Sequence, residues 1–132
     1  MDPTSLADAA RTHLERARAA DHGRSAHTVH GGHDRALRQT VVALRAGTTL
    51  REHAGAREAT VQVLSGRIRL TAGPQTLVAA ASDLLTVPAA AHTLLAVEDS
   101  ALLLTVSVML GASDALAATA AGPAYSWQEG WA

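Results

Sequence analysis

Two different spacings of apolar residues divide this chain into a helical start and a β-rich body. Residues 5 to 20 are rich in Ala and Leu and begin with Ser5-Leu-Ala-Asp8, which resembles a helix-capping box with Asp in its last position. From Leu37 onward, short apolar runs are separated by Gly, Pro, Ser and Asp, a pattern typical of strands and turns. The pattern predicts one helix over residues 5 to 20 and an all-β body after it.

About seven short strands are expected in this body, each ended by a turn. They cover residues 37–44, 60–64, 67–71, 76–79, 84–87, 92–97 and 101–109. In the third of them, Ile68 and Leu70 alternate with polar residues, so one face of that strand should be solvated. The turns Ser65-Gly66 and Glu98-Asp-Ser100 are both expected to close hairpins. Short strands at this close and regular spacing predict a sandwich or a barrel.

Histidines are concentrated in residues 24 to 35, a segment predicted to be a loop or a short edge strand. They are His27, His30 and His33, and they surround two glycines. Short His-rich tracts can bind metal, but on a Gly-rich loop we expect ordinary surface histidines.

A second helix is expected near the end of the chain. It would cover residues 114–121, because Gly122-Pro123 is a typical helix stop. Three segments are therefore expected: a helix with a His- and Gly-rich lead-in, a barrel, and a second helix with an aromatic tail. They cover residues 1–36, 37–109 and 110–132.

Composition narrows the classes of function. The chain has 132 residues, a formal net charge of -1 and no block of basic residues, which fits one domain and argues against a nucleic-acid partner. It has no Cys, so disulfides and thiolate metal sites are excluded. We find no signal-peptide pattern and no apolar run long enough for a membrane span, so a cytoplasmic protein without a membrane partner is expected.

All the aromatic residues lie in the last part of the chain. Phe is absent, and the aromatic side chains are those of Tyr125, Trp127 and Trp131. Large aromatic side chains tend to be buried, so we expect them to pack on the surface of the domain or at a dimer interface.

Two groups of residues carry the candidate chemistry. Gly47, His53 and Gly66 have the spacing of the first motif of the cupin superfamily, and Pro88 and His92 have that of the second. Over its β-rich body the chain thus resembles a small single-domain cupin.

The resemblance is incomplete at the metal ligands. Gly55 stands where the second His of the first motif belongs, and Glu58 lies one residue before the position of the motif's Glu. Ala96 replaces the Asn of the second motif. The resemblance therefore implies a degenerate metal motif that keeps His53 and His92.

The resemblance also implies a fold and a site. The fold would be all-β, a cupin-type β-barrel or jelly roll with a short helix at each end, and the chain would form a homodimer. A small molecule would bind inside the barrel at His53 and His92, with Glu58 as a third site residue. Arg45 and Arg51 flank the His53 loop and are candidates for bidentate contacts with an anionic substrate.

Three functions stay open on these residues. The first is a small-molecule-binding cupin in which His53, His92 and Glu58 do acid/base chemistry without metal, of isomerase, cyclase or dehydratase type. The second uses the same three side chains to hold a divalent metal, Zn, Mn, Fe, Ni or Cu, in an oxygenase or isomerase. The third is a non-catalytic protein, either a ligand sensor or a structural dimer with a filled barrel.

Overall fold

The computed structural model describes residues 1–52 and 58–107, which form one helix and two antiparallel sheets. The elements are α1 Leu6–Ala19, β1 Arg24–His30, β2 Leu37–Leu44, β3 Thr49–Glu52, β4 Ala59–Ser65, β5 Arg67–Ala72, β6 Gln75–Ala80, β7 Leu84–Thr86, β8 His92–Ala96 and β9 Ser100–Ser107. Sheet A has the strand order β1-β2-β9-β4-β7, and sheet B has the order β3-β8-β5-β6. The prediction of an all-β jelly roll with an N-terminal helix is confirmed. The second predicted helix and the aromatic tail lie outside the described residues.

The helix α1 begins and ends where side chains satisfy its free backbone groups. The hydroxyl of Ser5 accepts a hydrogen bond from the backbone N–H of Asp8 at 3.1 Å, as the capping pattern predicts. At the other end, the guanidinium of Arg45 donates to the carbonyl oxygens of Ala20 at 2.9 Å and Arg18 at 3.2 Å. Within the described ranges, no helix is long and apolar enough to cross a membrane.

The two expected hairpins at Ser65-Gly66 and at residues 98–100 are wrong. In both places the chain passes from one sheet to the other, because β4 and β9 belong to sheet A while β5 and β8 belong to sheet B. The two corners pack against each other: a Cβ added at Gly66 would lie 2.3 Å from the carbonyl oxygen of Asp99. A turn signal marks a reversal of the chain but does not specify whether the strands on either side of it pair with each other. Here they do not pair, because the two strands at each corner belong to different sheets.

Strands β1 and β3 show what the sequence pattern indicated and what it missed. β1 is an edge strand of sheet A, one of the two alternatives expected for the His-rich segment, and its pairing with β2 is irregular between Thr28 and His30. β3 was not expected, because its four residues are mostly polar. It forms because its backbone pairs with β8 and its Leu50 is buried in the core.

The hydrophobic core lies between the two sheets and consists of aliphatic side chains. Its main members are Val42, Leu44, Leu50, Val61, Val63, Ile68, Leu70, Leu94, Leu102, Leu104 and Val106. In β2, Val42 and Leu44 face this core, so Val41 and Ala43 face the opposite side of sheet A. The helix α1 covers that outer side over β1, β2 and β9, where it buries Ala10, His13 and Ala17.

The connections between the sheets define two ends of the sandwich. Residues 45–48 join β2 to β3, and residues 97–99 join β8 to β9, so both connections lie at one end. At the opposite end, β3 ends at Glu52, β8 begins at His92, and these two residues are register partners. β2 also begins here and β9 ends here. We call this end of the sandwich the His92 end.

Candidate functional site

His92 is buried at the end of the core and faces the interior. It is the first residue of β8, in which His92, Leu94 and Ala96 are buried and the residues between them are half-buried. Only 6% of His92 is exposed. Strand alternation therefore turns its imidazole toward sheet A, on the same side as the core leucine two residues later.

A backbone carbonyl sets the tautomer of His92. Its Nδ1 lies 3.0 Å from the carbonyl oxygen of Ala90, in the short segment that follows Pro88. A carbonyl oxygen can only accept, so Nδ1 carries the proton and Nε2 carries the lone pair of the neutral ring. This is the form of histidine that accepts a proton or ligates a metal, with the second nitrogen anchored to the backbone.

The residue that precedes the second predicted site histidine lies beside His92. Glu52 is the register partner of His92, and His53 follows it directly but lies outside the described residues. The prediction that His53 shares the site with His92 stays a prediction. The backbone immediately before it runs beside His92.

Glu58 is not brought together with His92. It precedes β4, its carbonyl accepts a hydrogen bond from the backbone N–H of Ser107 at 3.0 Å, and its side chain is exposed. In β4, Val61 and Val63 face the core, so residue 58 has the phase of the outward positions. In the part of the chain that the structure describes, no three His, Cys, Asp or Glu side chains are placed to hold a metal ion.

The two arginines proposed for substrate binding lie away from the interior. Arg45 follows β2 at the end opposite His92, and its guanidinium donates to carbonyl oxygens at the end of α1. Arg51 is exposed, and its neighbour in β3, Leu50, takes the core-facing phase. Arg51 therefore lies on the outer face of sheet B, paired with Thr93.

Sequence reasoning missed a polar group on the interior face of sheet A at the His92 end. In β2, Arg38 and Thr40 share the phase of Val42, which is in the core. Arg38 is the register partner of the core residue Val106, and the Thr40 hydroxyl lies 3.3 Å from that of Thr28. The signal that finds them is the two-residue period of β2, counted backward from its buried end.

A second histidine cluster lies on the outer face of sheet A. The imidazole of His13 stacks on that of His27 at 5.6 Å with an interplanar angle of 7°, and His13 Nδ1 lies 2.7 Å from the Ser25 hydroxyl. Burial lowers the pKa of His13, and the charges of Arg16 and His27 lower it further. His27, His30 and His33 are exposed, as expected.

The fold is that of solved cupins. An RmlC-like cupin protein from Desulfovibrio desulfuricans matches with a TM-score of 0.62 at 22% identity, over 81% of this chain and 96% of that one. A conserved protein of unknown function from Streptococcus pyogenes matches with a TM-score of 0.57 at 29% identity, over 67% and 76% of the two chains. Ectoine synthase from P. lautus matches with a TM-score of 0.50 at 14% identity, over 55% and 54%.

Other solved cupins match at a similar level, so this chain is a small protein with the cupin fold. No family model matches the chain, and no curated protein sequence matches it.

Proposed function

We propose that the chain binds a small molecule between its sheets at the His92 end and transfers protons on it without metal, as an isomerase, cyclase or dehydratase. One observation carries the proposal: His92 is buried, faces the interior and keeps the lone pair on Nε2 because Nδ1 donates to Ala90. His53, which lies outside the described residues, is the second proposed acid/base group because of its position in the first motif.

The surroundings of His92 suit this chemistry. The core next to it consists of aliphatic side chains of both sheets, so a ligand bound at His92 would contact apolar groups that keep water away from the reacting atoms. An imidazole with one anchored nitrogen can take a proton at the other and return it at a different atom of the ligand. Ectoine synthase is an enzyme that matches this fold, which is an analogy at the level of the fold.

A divalent-metal enzyme is the second candidate, because a ring whose Nδ1 is held by a carbonyl oxygen is also the arrangement of a metal-ligating histidine. The residues fit this candidate poorly. Glu58 is exposed and has the outward phase, so among the described residues His92 is the one ligand of the motif that faces the interior. We therefore propose proton transfer by the side chains themselves as the main function.

Two further proposals concern assembly and binding without catalysis. Exposed large apolar side chains on the strands, which a homodimer would cover, are Leu37, Leu77, Val78 and Leu84. The mass of the full chain by light scattering during size-exclusion chromatography tests the dimer.

A ligand that binds at His92 and is recovered unchanged after long incubation would make the protein a sensor or carrier and not an enzyme.

The test of the main proposal is a binding screen read at the histidine rings. We would label the full, untagged chain with ¹⁵N, add a library of small organic fragments, and follow the ring signals of His92 and the backbone amides. We expect fragments that shift the His92 ring signals and whose affinity falls about ten-fold or more in His92→Gln and His53→Gln. The matched control is His30→Gln, an exposed histidine. Fragments that bind His92→Gln as well as the original chain would refute the site.

A further inference from the structure

We infer that the aromatic tail of this chain, residues 125–131, docks in a groove between α1 and β4. The tail contains Tyr125, Trp127 and Trp131 and lies outside the described residues. The groove lies on the outer face of sheet A, whereas His92 faces the interior, so this inference is independent of the function proposed for His92.

The groove lies where α1 meets the outer face of sheet A. The helix packs mainly on β1, β2 and β9, and the next strands of the sheet, β4 and β7, lie beside it. Leu6, Ala10 and Leu14 are spaced four residues apart along α1 and form one stripe of the helix. Together with Leu64 of β4 they line a groove of about 440 Å³, a volume that suits a drug-sized molecule.

The apolar surface continues from this groove onto β7. Leu85 packs against the core, so its neighbour Leu84 faces outward, and it is 66% exposed. Leu84 is the register partner of Gln62, which makes it a diagonal neighbour of Leu64 on the outer face. An apolar segment lying in the groove would therefore cover both leucines.

The aromatic tail has the composition that such a surface requires. Phe is absent from the chain, and every Tyr and Trp lies in residues 125–131. Each of these side chains removes about 150–250 Å² from water when it packs on an apolar surface. Residues 108–132 contain no Arg, Lys or His, and Glu129 lies between the two tryptophans. The tail is thus aromatic and acidic.

Two arginines beside the groove fit an aromatic and acidic segment. Arg11 and Arg18 line the groove, and their side chains are 65% and 53% exposed. Their ion pairs with Asp8 and Asp99 are made through N–H groups, which lie in the plane of the guanidinium. The flat face of an exposed guanidinium can therefore stack on an aromatic ring while the ion pair persists.

The chain leaves the sheet close enough to reach this groove. β9 ends at Ser107, whose backbone N–H donates to the carbonyl oxygen of Glu58 just before β4. The distance along β4 from there to Leu64 is about 20 Å, at about 3.4 Å per residue. Residues 108–124 would span about 25 Å even if all of them were helical. They are therefore long enough to bring the aromatic tail to the groove.

Tryptophan fluorescence of the full chain tests the inference, because both tryptophans lie in the tail. We would record emission and acrylamide quenching for the folded chain, the urea-unfolded chain and a groove variant, Leu14→Lys with Leu64→Lys. We expect the folded chain to emit at shorter wavelength and to be quenched less than the unfolded chain. Each lysine should shift the docking equilibrium about ten-fold toward the free tail, so the groove variant should approach the unfolded values.

The matched control is Leu77→Lys with Val78→Lys, which replaces two exposed apolar side chains of β6 in sheet B. This control variant should keep the emission and the quenching of the original chain. Backbone amide spectra of both variants establish that each is folded.

A nitroxide label gives a readout that leaves the groove residues intact. The chain has no Cys, so Gln62→Cys places one label on the outer face of β4, two residues from Leu64. The control label is at Arg69→Cys, an exposed position on the outer face of sheet B. In ¹⁵N-labelled protein, the label at residue 62 should broaden the indole N–H signals of Trp127 and Trp131, and the label at residue 69 should not.

Four results would overturn the inference. The first is quenching of the folded chain as strong as that of the unfolded chain. The second is a folded groove variant that keeps the full protection of its tryptophans. The third is equal or stronger broadening by the label at residue 69. The fourth is broadening of ¹⁵N-labelled chains by nitroxide on other, unlabelled chains mixed with them, which would place the tail on a second copy. If the groove variant unfolds, the two nitroxide labels decide.

Discussion

His92 Nδ1 lies 3.0 Å from the carbonyl oxygen of Ala90, two residues earlier in the chain, and this contact determines which nitrogen carries the proton in the neutral ring. The contact is local, so it depends on the path of the short segment between β7 and β8 and not on any ligand. It prepares the ring in one tautomer before a ligand arrives, which is the kind of preorganisation that a catalytic or ligand-binding histidine requires.

The first prediction concerns this tautomer. We expect the neutral ring of His92 to carry its proton on Nδ1 and its lone pair on Nε2, because the carbonyl oxygen of Ala90 can only accept. Long-range ¹H–¹⁵N correlation spectra of the histidine rings distinguish the two tautomers. Spectra with the proton on Nε2 would contradict the hydrogen bond and the role built on it.

The second prediction concerns pH and the stacked pair under α1. The pKa of His13 is lowered from 6.5 by burial, then by Arg16 and His27, so the folded state prefers the neutral ring. Between the lower pKa of the folded state and 6.5, the unfolded chain therefore binds more protons than the folded chain. The free energy of unfolding should rise with pH over that interval. The contribution is fully present above pH 6.5 and is lost as the pH falls from there through the lower pKa of the folded state.

Urea unfolding at several pH values between about 5 and 7.5 measures this dependence. In His13→Asn, we expect a lower free energy of unfolding near neutral pH and a flatter dependence on pH, because the titrating ring is gone. His33→Asn removes an exposed histidine of the same segment and serves as the control. Equal pH dependence in both variants and in the original chain would show that His13 does not carry the effect.

The third prediction concerns the corner where the chain leaves sheet A. Gly66 has a φ of 86°, and an added Cβ would lie 2.3 Å from the carbonyl oxygen of Asp99, which is backbone and cannot move away cheaply. Gly66→Ala should therefore lower the free energy of unfolding by about 2–4 kcal/mol, from backbone strain and overpacking together.

The matched control is Gly73→Ala, in the hairpin between β5 and β6. Gly73 also has a positive φ, 58°, but no atom lies within 4 Å of the added Cβ. Its cost should be about 1 kcal/mol, from the backbone conformation alone. Chemical denaturation of both variants gives the comparison. A Gly66→Ala variant as stable as Gly73→Ala would mean that the two corners are not packed as described.

The fourth prediction concerns Asp99, which joins α1 to this corner. Its carboxylate accepts from Arg18 Nε at 2.6 Å and from the backbone N–H of Ala46 at 2.8 Å, and these contacts lower its pKa. Asp99→Ala should lower the free energy of unfolding by about 0.5–1.5 kcal/mol, because it removes the exposed hydrogen bonds from Arg18 and from the backbone N–H of Ala46. The neighbouring Glu98→Ala should change it by less than about 0.5 kcal/mol.

The pH dependence of Asp99 gives a second readout. Because its pKa in the folded state lies below 3.8, its contribution is present above that pH and is lost as the pH falls through the lower folded value. Asp99→Asn keeps an acceptor for Ala46 but no charge, so it should remove this acid-side loss while costing less than Asp99→Ala. Identical acid unfolding of the two variants and the original chain would count against the contacts.

Much of the fold could be predicted from the sequence because its signals are local. The cap at Ser5, the apolar phase of β2 and the alternation in β5 depend on residues a few positions apart, and each of these elements is where the pattern places it. β3 was missed because its position is set by pairing with β8, some forty residues later, and not by its own sequence. The same reason explains the two false hairpins, since sheet membership is decided by distant partners.

The candidate site divides in the same way. His92 could be singled out from its spacing to Pro88, and its burial follows from the phase of β8. Arg38 could not, since it has no motif and becomes visible only when the register places it at the same end as His92. Arg45 was singled out for its closeness in sequence to His53, yet its side chain serves the end of α1. Closeness along the chain was a poor guide where the fold reverses direction between the two positions.

The most direct test of the central claim is the binding of one fragment that shifts His92 to chelator-treated, metal-free protein. We predict that the original chain and His30→Gln bind it equally, and that His92→Gln and His53→Gln bind it about ten-fold more weakly or not at all. Binding that appears only after Zn, Mn, Fe, Ni or Cu is added, with near-stoichiometric metal that both site variants lose, would contradict the metal-free account. Binding that His92→Gln retains in full would contradict the site itself.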